Sequence, residues 1–219
     1  MASTEHRSSA RAERVTTIEA IEATALAMID EEGLDGLSFR KLAQKLGVGT
    51  MSLYRYVATK DELLDRVAVL ACKGVLPVDH DDKQWDELLP DMMRRLDRAL
   101  LLHPRVAPLI IGRVAPLATL NPFREIMIAA LRGAGFPIER AAMITSALVA
   151  YVSGNVMLES GVRTNDVSSD APEFDAARFP SLNEAKRYYD GLSVDEAQRT
   201  RFELGLRLLL IGIRAELTG

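Results

Sequence analysis

Apolar residues recur every three to four positions through most of the chain, and each run stops at glycine, proline or a polar cluster. Ile18, Ile21, Ala25, Leu26 and Ile29 share one face of a first helix, which Thr16 or Thr17 caps and Gly33 ends, with Gly36 close behind. Ser38 opens a short second helix with Leu42, Ala43 and Leu46 inward, and Gly47 stops it. Residues 47–50, Gly-Val-Gly-Thr, make a tight turn before a third short helix over 51–56. Thr59 caps a fourth, with Glu62 completing a capping box; it runs through Leu63, Leu64, Val67, Ala68 and Ala71 to about residue 74.

A polar linker over 77–83 precedes a fifth helix that carries Trp85, Leu88, Leu89, Met92, Met93, Leu96 and Leu100 and breaks at His103-Pro104. Two short helices, or one kinked one, follow over 105–112 and 121–133, and Gly133, Gly135 and Pro137 punctuate the next turn. A long helix over 138–160 mixes large apolar residues with Ser146, Ala150, Ser153 and Gly154, small enough to admit another helix closely. After a polar loop over 161–180 come a short helix over 182–189 and a last helix to about 217, capped by Ser193 with Glu196 as box partner. No alternating strand pattern occurs. The expected fold is all-α, with about nine or ten helices: a flexible arm at 1–15, a helix-turn-helix domain at 16–76 and a larger helical domain at 84–217.

Composition agrees. Of 219 residues 48% are hydrophobic and 5% aromatic, enough for a real core and biased towards helix. A lone cysteine, Cys72, rules out an internal disulfide and a multi-cysteine zinc site. The first fourteen residues hold no apolar run, and the longest apolar stretch, 204–213, contains Arg207 and falls short of the roughly 20 residues a span needs. A soluble, cytoplasmic protein without a membrane partner is expected. The three histidines, His6, His80 and His103, fall in the arm, an acidic linker and a helix break. Asp79, His80, Asp81 and Asp82 lack a rigid helical spacing, so no metal site is expected there. Neither a glycine-rich phosphate loop nor a nucleophile elbow occurs, which argues against an enzyme.

Charge changes the picture more. The net charge is −4, yet residues 37–60 contain no acid and hold Arg40, Lys41, Lys45, Arg55 and Lys60. Arg7, Arg11 and Arg14 add to that basic surface from the arm. A local basic patch on an acidic body suits a small DNA-binding unit. Within 37–57, Ala43 is small where two helices cross, Gly47 permits the turn, and Val48 and Leu53 pack the second helix down. Thr50, Met51, Ser52, Tyr54, Arg55 and Tyr56 are left facing outward, where the start of a helix in a major groove meets base edges. Arg40 and Lys60 flank them and suit phosphates. A helical ligand-binding or interaction protein that does not bind DNA is the alternative.

The block Leu-Ser-Phe-Arg-Lys-Leu-Ala-Gln-Lys-Leu-Gly-Val, followed by Ser-Leu-Tyr-Arg-Tyr-Val and Lys-Asp-Glu-Leu-Leu, resembles the tetracycline-repressor (TetR) family. The resemblance implies that Ser38, Arg40, Thr50, Met51, Ser52, Tyr54, Tyr56 and Lys60 occupy DNA-facing positions, with Tyr54 and Lys60 on phosphates. Trp85, Leu-Leu-His-Pro-Arg at 101–105, Leu-Arg-Gly-Ala-Gly-Phe at 131–136 and Gly-Asn-Val-Met-Leu-Glu at 154–159 resemble the ligand-binding and dimerisation domain of that family. This implies a homodimer through the last two long helices, a double-stranded DNA operator, and a small ligand that shifts the fourth helix. The last helix supports the dimer independently: it is apolar almost all round, and Gly205 and Gly212 share a face. Candidate ligand-lining residues are Met92, Leu96, Leu109, Ile110, Arg113, Met127, Leu131, Met143, Ala147 and Tyr151, a methionine-rich set suited to apolar molecules. Family members that bind a drug–magnesium chelate place a histidine where this chain has Ile110. A second expected histidine is missing around Ala71-Cys72, and Met92 stands near an expected asparagine. The expected pocket is therefore apolar and uses no cofactor or metal.

Overall fold

The computed structural model describes residues 17–76, 83–112, 121–164 and 177–218. The expected arm, the acidic linker around His80, Arg113 and most of the expected 161–180 loop lie outside them; at the ends of that loop, 161–164 continue the long helix and Pro180 already opens the next. Among the described residues the regular structure is all helical, and the chain divides into two compact units at Leu70–Ala71.

In the first unit, α1 (Ile18–Glu32) starts where Thr17 Oγ1 accepts the Ala20 N–H at 3.3 Å and stops at Gly33. One 3-10 turn, Leu34–Gly36, leads to α2 (Phe39–Leu46), capped by Ser38, whose hydroxyl accepts the Lys41 N–H at 3.3 Å. Gly47 adopts φ 71°, ψ 27°, and Val48 N–H bonds the Ala43 carbonyl at 3.0 Å, which closes the helix end. Next, α3 (Thr50–Leu53) is shorter than the expected 51–56. Its last turn tightens: Tyr56 and Val57 both donate to the Leu53 carbonyl, at 2.9 and 3.0 Å, and Val57 is thereby folded into the core. Thr59 caps α4 (Lys60–Ala71), but the Glu62 carboxylate takes the Ala58 N–H at 2.9 Å, one residue further back than a standard box. Ile21, Ala25, Ile29, Leu42, Leu53, Leu63 and Val67 form the core.

The second unit holds α5 (Trp85–Leu102), α6 (Ala107–Gly112), α7 (Asn121–Gly133), α8 (Ile138–Thr164), α9 (Pro180–Asp190) and α10 (Val194–Thr218). Helix α8 is the hub and packs against α5, α6, α7 and α10. Its stretch Ile138–Glu159 is long and apolar enough to cross a membrane by length and composition, which the 204–213 run alone does not reveal. Here its neighbours are protein helices, and Ala141, Thr145, Leu148, Val152 and Val156 form the buried stripe. Pro90 sits inside α5, buried, without an N–H for the preceding turn. Ser193 and Glu196 form a reciprocal box at the start of α10, at 3.0 and 3.3 Å. Helix α9 buries no residue. Burial pushes the thiol of half-buried Cys72 up to about 11.

Two contacts fix α10. Arg94 on α5 grips Glu203 with two bonds of 2.7 and 2.8 Å. The Tyr151 hydroxyl lies 2.9 Å from the Phe202 carbonyl and 3.2 Å from that of Arg201, shared between them. A Cβ on Gly205 would stand 2.3 Å from that hydroxyl. Gly205 thus admits a side chain of its own protomer, whereas nothing lies within 4 Å of a Cβ on Gly212.

These two kinds of glycine predict different behaviour. Gly47→Ala has room for its methyl and suffers only the left-handed backbone, so chemical denaturation should show a loss of about 1–2 kcal/mol. Gly205→Ala should destabilise the wild-type chain but be tolerated in a Tyr151→Ala background; additive losses in that double-mutant cycle would refute the contact.

Candidate nucleic-acid interface

Helices α2 and α3 pack across the Gly47 turn, with Leu42, Ala43 and Leu53 buried between them and α1. What remains outward is unusual for a solvated face. Met51 is 76% exposed and Tyr54 47% exposed, and Tyr56, Arg40, Arg55 and Lys60 are exposed beside them. Thr50 and Ser52 are half-buried at the start of α3. Ser38 is spent on the α2 cap, its hydroxyl outermost on that turn. Lys60 rests its ammonium 3.5 Å from the Leu34 carbonyl, a long contact that leaves it displaceable.

Tyr54 does not hang free. Its ring lies on Phe39 with centroids 4.7 Å apart and planes 2° from parallel. The stack ties the end of α3 to the start of α2 and aims the phenol outward. Phe39 is a positioning residue that the sequence pattern did not single out; its signal was an aromatic at the first position of α2, where no core stripe required one.

The basic patch is narrower than residues 37–60 suggested. Lys41 pairs with Glu32 at 2.7 Å and Lys45 with Glu31 at 2.6 Å, both across to the end of α1. Lys41 holds the Glu32 carboxyl below its ordinary range through that hydrogen bond and its charge. These exposed pairs add little stability, but they draw the positive potential towards Arg40, Arg55 and Lys60.

In the second unit, Met92, Leu96, Leu109, Met127 and Leu131 are all buried, on α5, α6 and α7 around α8. Ile110 lies within α6, and its side chain, like Arg113, is outside the described residues. Three expected lining residues are not in this group. Met143 is 65% exposed, Ala147 is exposed, and Tyr151 is turned onto α10 and stacks on Phe202 at 5.8 Å. They share one stripe of α8, but it lies to the side of the buried one at Ala141, Thr145, Leu148 and Val152.

A small paired-helix head with exposed aromatic and basic groups, ahead of a larger helical unit, defines a helix-turn-helix regulatory protein. Residues 21–67 match the family described as bacterial regulatory proteins, tetR family, and residues 76–217 match the tetracyclin repressor-like C-terminal domain. The tetracycline repressor protein class E of Escherichia coli is 31% identical over 198 residues, 88% of each chain. The structure of a possible TetR family regulator from Streptomyces coelicolor A3(2) superimposes with TM-score 0.76 at 31% identity, covering 90% of this chain and 98% of that one. That of the S. coelicolor TetR family protein ActR in complex with actinorhodin gives 0.73 at 32% identity, covering 94% and 100%. The chain belongs to the tetR family of bacterial regulatory proteins, DNA-binding regulators of transcription.

The Phe39–Tyr54 stack makes its own prediction. Phe39→Leu keeps the apolar volume and removes the ring face, so unfolding free energy should fall by about 0.5–1.5 kcal/mol beyond the area effect. Tyrosine fluorescence during denaturation reads it; an unchanged stability would mean that the stacked rings contribute nothing.

Proposed function

We propose that the chain is a homodimeric repressor that sits on a palindromic operator and releases it when a small apolar ligand enters the helical core of the second unit. The single observation that carries the DNA half is the cluster of exposed Met51, Tyr54 and Tyr56, ringed by Arg40, Arg55 and Lys60, on a segment without acids. Thr50, Met51 and Ser52 suit base edges; Ser38, Arg40, Tyr54, Tyr56 and Lys60 suit the backbone. Residues 16–76 take the role of the reading head and 84–217 that of the ligand-binding and dimerising body. Such a protein works in the cytoplasm and has no catalytic step of its own, in keeping with the regulatory relatives.

The dimer reading rests on two exposed stripes. On α8, Met143, Ala147, Ala150, Gly154 and Met157 follow one another at helical spacing; on α10, Leu204, Leu208 and Ile211 do the same. Two such helices from each protomer make a four-helix interface, and a two-fold axis sets the reading heads roughly 34 Å apart on successive major-groove turns. The ligand reading rests on the buried Met92, Leu96, Leu109, Met127 and Leu131, with Ile110 and Arg113 at the adjoining segment. Methionines adapt to varied apolar shapes, and no metal is needed there. ActR, solved with actinorhodin, supplies the family precedent for a bound small molecule. A ligand releases DNA only if it prefers the conformation that DNA disfavours, so operator and ligand must weaken each other equally.

Lys60→Ala should weaken binding to every DNA sequence alike and lower the slope of log affinity against log salt by about one, whereas Thr50→Ala or Ser52→Ala should change which base pairs are preferred. Fluorescence anisotropy over a salt series separates the two. For the dimer, Leu208→Glu should give monomers in light scattering at micromolar concentration, and a wild-type chain that is itself monomeric there would overturn the architecture. For release, hydrophobic compounds titrated into the operator complex should act equally with and without a chelator; release that requires magnesium would refute the apolar pocket.

A further inference from the structure

Three helices of the second unit bring a row of polar groups beneath the surface. Asp97 comes from α5, Asn155 and Glu159 from α8 and Gln198 from α10, with the exposed Arg201 of α10 reaching in from outside. Asp97 is 9% exposed and Glu159 only 2%. The Asn155 amide donates to Glu159 Oε1 at 2.9 Å and to Asp97 Oδ1 at 3.5 Å. Arg201 donates to Asn155 Oδ1 at 3.2 Å and to Glu159 Oε1 at 3.4 Å. Both bonds to Glu159 end on the same oxygen. Its other oxygen, Oε2, is buried and accepts from no group among the described residues.

A cavity of about 400 Å³ opens at this point. Its buried wall is Asp97, Glu159, Gln198 and Phe202, while Arg94, Arg98 and Arg199 stand at the exposed rim. Acid lies at the floor, and both signs of charge stand at the mouth, where Asp195 and Glu203 join the three arginines. The rim offsets the floor only in part: Arg94 is committed to Glu203, and Arg98 acts on Asp97 through its charge while its Nε lies 3.4 Å from the Arg94 carbonyl. Among the described residues, Arg201 is the guanidinium bonded to this carboxylate pair, and it reaches Glu159 but not Asp97. Burying an anion without a partner is costly, so the pair favours a further positive charge beside Asp97.

A proton on Asp97 is one way to supply that charge. Burial, with the Glu159 charge behind it, pushes the Asp97 carboxyl up to about 6. Glu203 on α10 adds to this, while Asn155 on α8 and Arg98 on its own helix oppose it. At neutral pH the proton has therefore mostly left, and a cation has the stronger claim. Among the described residues no group of three or more histidine, cysteine or carboxylate side chains is placed to hold a metal ion. Phe202 instead offers an aromatic wall, fixed by its stacking on Tyr151. A compact cation with several N–H donors and a carbon skeleton fits a carboxylate pair beside a ring.

We propose that this cavity binds an organic ammonium ion, its N–H groups on the Asp97 and Glu159 carboxylates and its skeleton against Phe202 and Leu101. None of these residues belongs to the Met92–Leu131 cluster, so the site stands independently of the apolar pocket proposed above. It would let the regulator respond to an amine as well as to an apolar molecule.

The test is calorimetric titration of the full-length protein with 2-phenylethylammonium chloride and with uncharged 2-phenylethanol. At pH 7.5 the amine should bind at least tenfold more tightly than the alcohol. Glu159→Gln, which keeps the shape and removes the charge, should cost the amine at least tenfold while leaving the helical circular dichroism intact. Acidifying from pH 7.5 to 5 should weaken the amine about tenfold, as the proton competes for Asp97. Asp97→Asn, the second variant, should bind less tightly and lose that pH dependence. Equal binding of amine and alcohol, or undiminished binding in both variants, overturns the site. So does failure of the amine to bind at all, which would mean that a proton alone completes the cluster. Operator affinity of unliganded Glu159→Gln, measured in parallel, reports on the DNA reading separately.

Discussion

The second unit depends on how the surface of α8 is shared out. One stripe, through Ala141, Thr145, Leu148, Val152 and Val156, is consumed by α5, α6 and α7. A second sector goes to α10, through Tyr151 and the bonds that Asn155 and Glu159 make with Arg201. The third, from Met143 to Met157, is left to solvent in the single chain. A helix that presents three faces must be apolar almost all round, and this is why its composition alone passes for a membrane span. The same constraint explains the polar row at Asp97, Asn155 and Glu159. Where three helices converge, a charge can be buried only if neighbours from the other two come to meet it.

That constraint also sets what the sequence could and could not convey. Helix ends were legible because they are written in local chemistry: Thr17, Ser38, Ser193 with Glu196, and Gly33 and Gly47 each act within four residues of themselves. The reading head was legible for the same reason, since Ala43, Gly47 and Leu53 meet over a short stretch of chain. The phase of α8 was not. With apolar residues on nearly every side, the 3.6-residue period carries no preferred direction, and Met143, Ala147 and Tyr151 looked as inward as Ala141, Thr145 and Leu148. Only the positions of other helices decide which stripe is buried.

Charge was misjudged for a related reason. A run without acids from 37 to 60 is a statement about one segment, whereas potential depends on neighbours in space. Glu31 and Glu32, just upstream, fold across onto Lys45 and Lys41. The focus of the positive field is thereby displaced towards α3 and the start of α4, next to the exposed rings. Pairing two lysines thus sharpens the patch as much as it weakens it.

Cys72 has a practical meaning of a different sort. With its thiol raised to about 11 by burial, Cys72 stays protonated at neutral pH. Electrophilic dyes and spin labels react with the thiolate. A single cysteine introduced on an exposed helix face should therefore take a probe faster than the native one.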